Sequence, residues 1–155
     1  MIVVTNNVKS SRVKELDIFF EYSSKNNNMC LYSKQILPRR ATKDIICYKV
    51  LCCTGSCFRT PYYDMRMDIN KEYEAKGPKI AKAFIKNNYQ KYFAIVEKGY
   101  IHCFTQENAA RDMWFYDVRK RVIMKCIIPK GTLYYKSKNG LEICARKIKT
   151  LERIA

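Results

Sequence analysis

The sequence predicts an α+β fold, a mostly antiparallel sheet with two or three helices or a small split barrel. Three observations lead there. From Asp44 onward, runs of β-branched, aromatic and cysteine residues recur between turn signals. Two of those signals, Lys98-Gly99 and Asn139-Gly140, read as tight hairpin turns. Three stretches space their apolar residues for one face of a helix.

Taken in order, residues 10–22 predict a helix capped by Ser10 or Ser11, with Val13, Leu16 and Phe20 on one face. Residues 23–43 are polar and basic, and Pro38 breaks any helix there. Residues 1–43 thus read as an N-terminal helix and a basic linker or arm, and 44–155 as the α+β domain. Ile45 to Cys53 reads as a strand and Thr54-Gly55-Ser56 as a turn. Phe58 to Tyr63 continues extended, with Pro61 assigning it to an edge. Gly77-Pro78 opens a predicted helix whose buried stripe is Ile80, Phe84 and Ile85. Tyr92–Glu97 and Tyr100–Phe104 flank Lys98-Gly99 as a hairpin. Thr105 is placed to cap a helix over 106–118, with Glu107 in its first turn and Ala109, Ala110, Met113 and Trp114 on its apolar side. Arg121–Ile128, Thr132–Lys136 and Leu141–Lys149 are the closing strands, joined through Pro129-Lys130-Gly131 and Asn139-Gly140. A type I′ turn at Asn139-Gly140 needs positive φ at both residues.

Composition bounds the function. The chain has 155 residues, a one-domain length, with Lys+Arg 30 against Asp+Glu 14 and a formal net charge of +16. Such a field attracts polyanions, so the expected partner is nucleic acid or an acidic protein surface. An AT-rich codon bias toward lysine is the plainer explanation of the same count. No run approaches the ~18 apolar residues of a membrane span, and the start carries no basic, apolar leader, so no membrane partner is expected. The eight cysteines mostly sit in strand-like apolar runs. They read as reduced, buried small hydrophobes in a cytoplasmic setting, host cytoplasm if the protein is viral.

Cys47, Cys52, Cys53 and Cys57 crowd one stretch but lack the paired C-x₂-C spacing of a zinc site, so no metal is expected. His102 is the single histidine, and strand alternation turns its neighbour Cys103 to the opposite face, which excludes a dyad between them. Cations cluster at Arg39-Arg40, Arg119-Lys120-Arg121, Lys136, Lys138 and Arg146-Lys147, with Tyr62-Tyr63 and Tyr134-Tyr135 among them. Cationic tracks with aromatic platforms suit single-stranded nucleic acid, although the same residues also make an ordinary solvated face.

The run Gly99-Tyr-Ile-His-Cys-Phe, an alanine-bearing helix, and Val-Ile-Met-Lys-Cys-Ile-Ile-Pro-Lys-Gly-Thr resemble small phage and bacterial domains of unknown function, some found beside pentapeptide repeats. Tyr48-Lys49-Val50 fits the strand with which those domains start. Phe104-Thr105 with Ala110, then Pro129-Lys130-Gly131-Thr132 and Glu142, resemble the order of motifs in the ADP-ribosyltransferase fold. That resemblance implies NAD as cofactor, Glu142 as the catalytic carboxylate stabilising an oxocarbenium-like state, Arg59 on the cofactor phosphates and His102 beside them. The Ser-Thr-Ser triplet of that family is absent, and Gly140 stands where its second glutamate belongs.

The sequence therefore predicts a non-enzymatic accessory protein of phage or viral type, without cofactor, that binds an anionic partner, nucleic acid or an acidic protein, a class that includes proteins countering host defence. Arg119, Lys120, Arg121, Lys136, Lys138, Arg146 and Lys147 are the expected binding residues, with Tyr62 and Tyr135 as stacking candidates. An NAD-dependent transferase using Glu142, His102 and Arg59 is the first alternative. A structural virion or assembly protein is the second.

Overall fold

The computed structural model describes residues 2–3, 11–12, 31–35, 37–61, 64–76, 80–86, 91–113 and 119–155. In chain order the strands are β1 (Ile2–Val3), β2 (Ser11–Arg12), β3 (Leu31–Ser33), β4 (Arg39–Arg40), β5 (Ile45–Thr54), β6 (Cys57–Arg59), β7 (Glu72–Glu74), β8 (Ile80–Lys86), β9 (Lys91–Lys98) and β10 (Ile101–Phe104). The helix α1 (Glu107–Asp112) follows, then β11 (Lys120–Ile128), β12 (Leu133–Lys136), β13 (Glu142–Ala145) and β14 (Lys147–Arg153).

The architecture is a mostly antiparallel β fold, not the expected α+β fold with two or three helices. Among the described residues there is one helix, of six residues. The helix expected from Gly77-Pro78 is instead β8, paired with β9 from Ile80↔Lys98 to Lys86↔Lys91. Ile80, Phe84 and Ile85 fit a helical stripe, but a short apolar run fits a strand equally well, and an equally long partner a few residues on decides it. The helix expected over 106–118 stops early, because Met113 is extended at φ −61, ψ 119. Its N-cap is Gln106, without a side-chain capping bond. Thr105, the expected cap, donates its hydroxyl to the Gly140 carbonyl at 2.7 Å instead. The helix expected over 10–22 lies outside the described residues, apart from Ser11 and Arg12, which are strand.

The large sheet runs β4-β12-β13-β10-β5-β11-β14-β7, with β6 paired onto β5. Only Arg146 separates β13 from β14, yet the two stand four places apart on that path. A flat sheet would hold them about 19 Å apart at ~4.8 Å per strand. The sheet therefore curls until β13-β10-β5-β11-β14 returns to the strand it left, and residues 142–153 close a small barrel. Arg146 marks the seam: its N–H bonds the Leu133 carbonyl at 3.0 Å, and its carbonyl accepts from Ala75 N–H at 2.8 Å. Strand alternation fills the interior with Cys47, Leu51, Ile101, Cys103, Val122, Met124, Cys126, Ile143 and Ile148.

Two smaller clusters cover the outside. Ala110 of α1 packs with Val50, Phe104 and Ile123. The three-stranded sheet β3-β9-β8 sends Leu31 and Val96 against Tyr100, Tyr135 and Cys144. Lys98-Gly99 consequently joins two sheets and is no hairpin: β9 pairs with β3 and β8, and β10 with β13 and β5. The Asn139-Gly140 hairpin is present, joining β12 to β13, but among its residues only Gly140 has positive φ, at 78°. The turn is held by Gly140 N–H to Ser137 O, with the Asn139 side chain accepting from Leu141 N–H at 3.0 Å.

Residues 31–43, read from sequence as part of an arm, are fastened to the sheet. Arg39 and Arg40 pair with Tyr134 and Leu133. Ser33 Oγ donates to the Lys136 carbonyl at 2.5 Å, and Gln35 Oε1 accepts from Lys136 N–H at 2.8 Å. Ala41 is buried in the barrel core.

Candidate anion-binding interface

The expected binding residues fall into three separate places. Arg119 precedes β11 and is tied down: Nη1 meets Asp64 Oδ1 at 2.6 Å, and Arg59 Nη1 reaches Asp64 Oδ2 at 3.3 Å. Asp64 thus neutralises part of the charge of both arginines and ties β6 to the start of β11. Lys120 and Arg121 are exposed, with Arg121 Nη1 bonded to the Met113 carbonyl. Lys136 and Lys138 lie at the β12–β13 hairpin, four strands from β11 along the sheet path, both exposed. Arg146 and Lys147 sit at the seam, with Lys147 Nζ on Glu72 Oε1 at 3.1 Å. Tyr135 is only 1% exposed and packs edge-on to Tyr100 at 5.5 Å, so it is core and presents no face for a base. Tyr62 lies outside the described residues.

The transferase residues are not brought to one place. Arg59 faces Cys52, whereas Glu142 faces Phe104, which pairs with Tyr48. Those positions are about 13 Å apart along β5 at ~3.3 Å per residue. His102 and Glu142 do share a face of the sheet, since His102 pairs with Cys144 and Phe104 with Glu142. Burial, with Lys49 adding a like charge, lowers the His102 pKa to about 3, so the imidazole is neutral at physiological pH. Its Nε2 is buried and has no hydrogen-bond partner among the described residues. Burial alone raises the Glu142 carboxyl above its usual range.

Cys47, Cys52, Cys103, Cys126 and Cys144 are buried, as their strand-like apolar runs predict. Cys47 stands opposite Cys126 across β5 and β11. Its thiol also hydrogen-bonds Cys103, which lowers the Cys103 pKa and raises that of Cys47. Lys49, 8% exposed, lies between Cys47 and Leu51 on β5. No group of residues able to hold a metal ion occurs among the described residues.

The densest unpaired charge lies along β12. Pairing of β4 with β12 brings residues 34–43 beside residues 130–138. Lys34, Arg39, Arg40, Lys43, Lys130, Lys136 and Lys138 are all exposed there. Among the described residues none of these seven makes an ion pair, whereas Arg59, Arg66, Lys71, Arg111, Arg119, Lys125 and Lys147 each do. The acids within the two segments and their flanks are Asp44, which accepts from Lys130 N–H at 2.8 Å, and the half-buried Glu142. Sequence reasoning placed the expected binding residues in the second half: it noted the Arg39-Arg40 cluster without counting it among them, and left out Lys34, Lys43 and Lys130. The available signal was that residues 34–43 and 130–138 each carry several cations and no acid.

Beside this edge, at the seam, is an open cleft of about 400 Å³ lined by Arg40, Glu72, Glu74, residues 129–133, Arg146 and Lys147. No family model matches the chain, and no curated protein or solved structure matches it either. No helix among the described residues is long and apolar enough to cross a membrane.

Proposed function

We propose that this protein binds nucleic acid through the basic edge built from residues 34–43 and 130–138. The observation that carries this reading is the set of seven exposed cations without ion-pair partners among the described residues. A charge with no carboxylate beside it keeps its full attraction for phosphate. The edge from Lys130 to Lys138 spans at most about 26 Å at ~3.3 Å per residue, room for several phosphates of one strand. Its composition favours nucleic acid over an acidic protein. Protein–protein cores are depleted in lysine and built around aromatic anchors, whereas nucleic-acid interfaces are strongly positive. Among the described residues of the 34–43 segment, Leu37, 64% exposed, is the large apolar side chain open to solvent.

The test is a salt titration with a fluorescent oligothymidylate of twelve nucleotides. Counterion release gives a slope near −0.7 per phosphate contacted on single strands, so seven contacts set a ceiling of about −5. The variant with Arg39, Arg40, Lys136 and Lys138 all changed to Gln should lose about half of that slope. Failure to bind at 20 mM salt, or an unchanged slope in the variant, overturns the reading. So does equal affinity for polyglutamate, which would point to an acidic protein.

A further inference from the structure

The seam cleft differs from the open edge beside it in how its cations are held. Leu133 pairs with Arg40 on one side and is hydrogen-bonded by Arg146 on the other. Arg40 and Leu133, directly opposite in antiparallel strands, point to the same face, and Arg146, between β13 and β14, bonds Leu133 from the far side. Two strand spacings of ~4.8 Å hold the Arg40 and Arg146 backbones about 10 Å apart. Both arginines line the cleft.

Each guanidinium is anchored by a carbonyl rather than a carboxylate. Arg40 Nη1 donates to Gly131 O at 2.7 Å, and Arg146 Nη1 to Gly99 O at 2.5 Å. The Arg146 guanidinium carbon also stands 6.0 Å from the centre of the Tyr100 ring. A carbonyl and a ring face fix the orientation of the fork without cancelling its charge. The remaining N–H groups of each fork suit bidentate contact with phosphate oxygens. By contrast, Arg59, Arg66, Arg111 and Arg119 each spend their charge on an aspartate or glutamate.

The opposite wall is acidic. Glu72 and Glu74 of β7 line it, and both act on Lys147, raising its pKa. Four cations and two carboxylates line the cleft, leaving two positive charges in surplus on the Arg40–Arg146 side. A phosphate chain that follows the β12 edge thus reaches two pinned arginines and then meets two carboxylates that repel its continuation. A terminal phosphate, which carries up to about two negative charges at neutral pH, matches the surplus.

We propose that the seam cleft receives a terminal phosphomonoester of the bound strand, clamped between Arg40 and Arg146, so that the protein recognises phosphorylated ends. This rests on the nucleic-acid reading above. The experiment compares three internally labelled twelve-nucleotide oligothymidylates, carrying a 5′-phosphate, a 3′-phosphate or hydroxyls at both ends, by fluorescence anisotropy. One phosphorylated form should bind about tenfold more tightly than the hydroxyl form, equivalent to about 1.4 kcal/mol. Which form it is identifies the end recognised. In Arg146→Gln, and independently in the surface variant Arg40→Gln, that ratio should fall to about one. Equal binding of all three strands by the wild-type protein overturns end recognition and leaves the basic edge standing. Preferential binding that survives both substitutions also overturns it. Failure of all three strands to bind overturns the edge reading and this inference together.

Discussion

His102, half-buried with its Nε2 shielded from solvent, makes a sharp prediction about acid stability. Its pKa falls from about 6.5 in the unfolded chain to about 3 in the folded one. A depressed pKa means that below pH 6.5 the unfolded chain takes up a proton that the folded chain refuses. Stability is therefore lost progressively between pH 6.5 and 3, at up to about 1.4 kcal/mol per pH unit. From pH 7 to 4.5 this one residue should cost about 2.5 kcal/mol, a large share of the roughly 5–15 kcal/mol that holds a typical domain together. His102→Leu removes the titrating group and the unpartnered Nε2 together. The assay is urea denaturation of both proteins at pH 7, 5.5 and 4.5, followed by tyrosine fluorescence or circular dichroism. The variant should match or exceed the wild type at every pH, with an advantage that widens by about 2.5 kcal/mol on acidification. Parallel pH dependences in the two proteins would refute the argument, because His102 would then titrate alike in folded and unfolded chains.

Glu142 carries the opposite sign: its raised folded pKa means that the stability of its protonated form is present below the usual carboxylate value and lost as pH rises through the folded one. Glu142→Gln should therefore be more stable than wild type at pH 7, with the gain shrinking toward pH 4, as thermal melts at both pH values would show. Leu51 is fully buried in the barrel interior, so Leu51→Ala should lose about 2–5 kcal/mol by urea denaturation. Under native conditions iodoacetamide should modify the half-buried Cys53 and Cys57, and should reach Cys47, Cys52, Cys103, Cys126 and Cys144 only after denaturation. Peptide mass spectrometry reads both sets, and rapid native labelling of Cys103 would contradict the closed barrel.

Local features were legible in the sequence and long-range pairings were not. Ile45–Cys53 and Arg121–Ile128 announce themselves as strands because their β-branched and sulfur-containing side chains fit two-sided burial, and the structure pairs them along nine residues. Asn139-Gly140 announced a hairpin correctly, though its backbone needs positive φ only at Gly140. The segment 80–86 was misread because seven residues are too few for period alone to separate helix from strand. The basic edge was half legible for a different reason. Lys136 and Lys138 stood out within the C-terminal half, but their companions Arg39 and Arg40 join them through a pairing across more than ninety residues, which no local pattern encodes. Charge counts likewise could not separate Arg119, spent on Asp64, from Arg40, held by a carbonyl.

The strand that closes the barrel is also the last of the described strands to be synthesised. While β5, β10 and β11 are already available to pair, the interior faces of Leu51, Cys103 and Met124 have no lid until residues 142–153 leave the ribosome. Folding of this barrel therefore waits for residues 142–153 and is dominated by non-local pairing, which is slow. Until closure, an apolar sheet with unpaired edges is exposed to neighbouring chains. A chain cut short before residue 142 should stay open to proteases, whereas one that includes residues 142–153 should be protected over the whole β5–β14 unit at once.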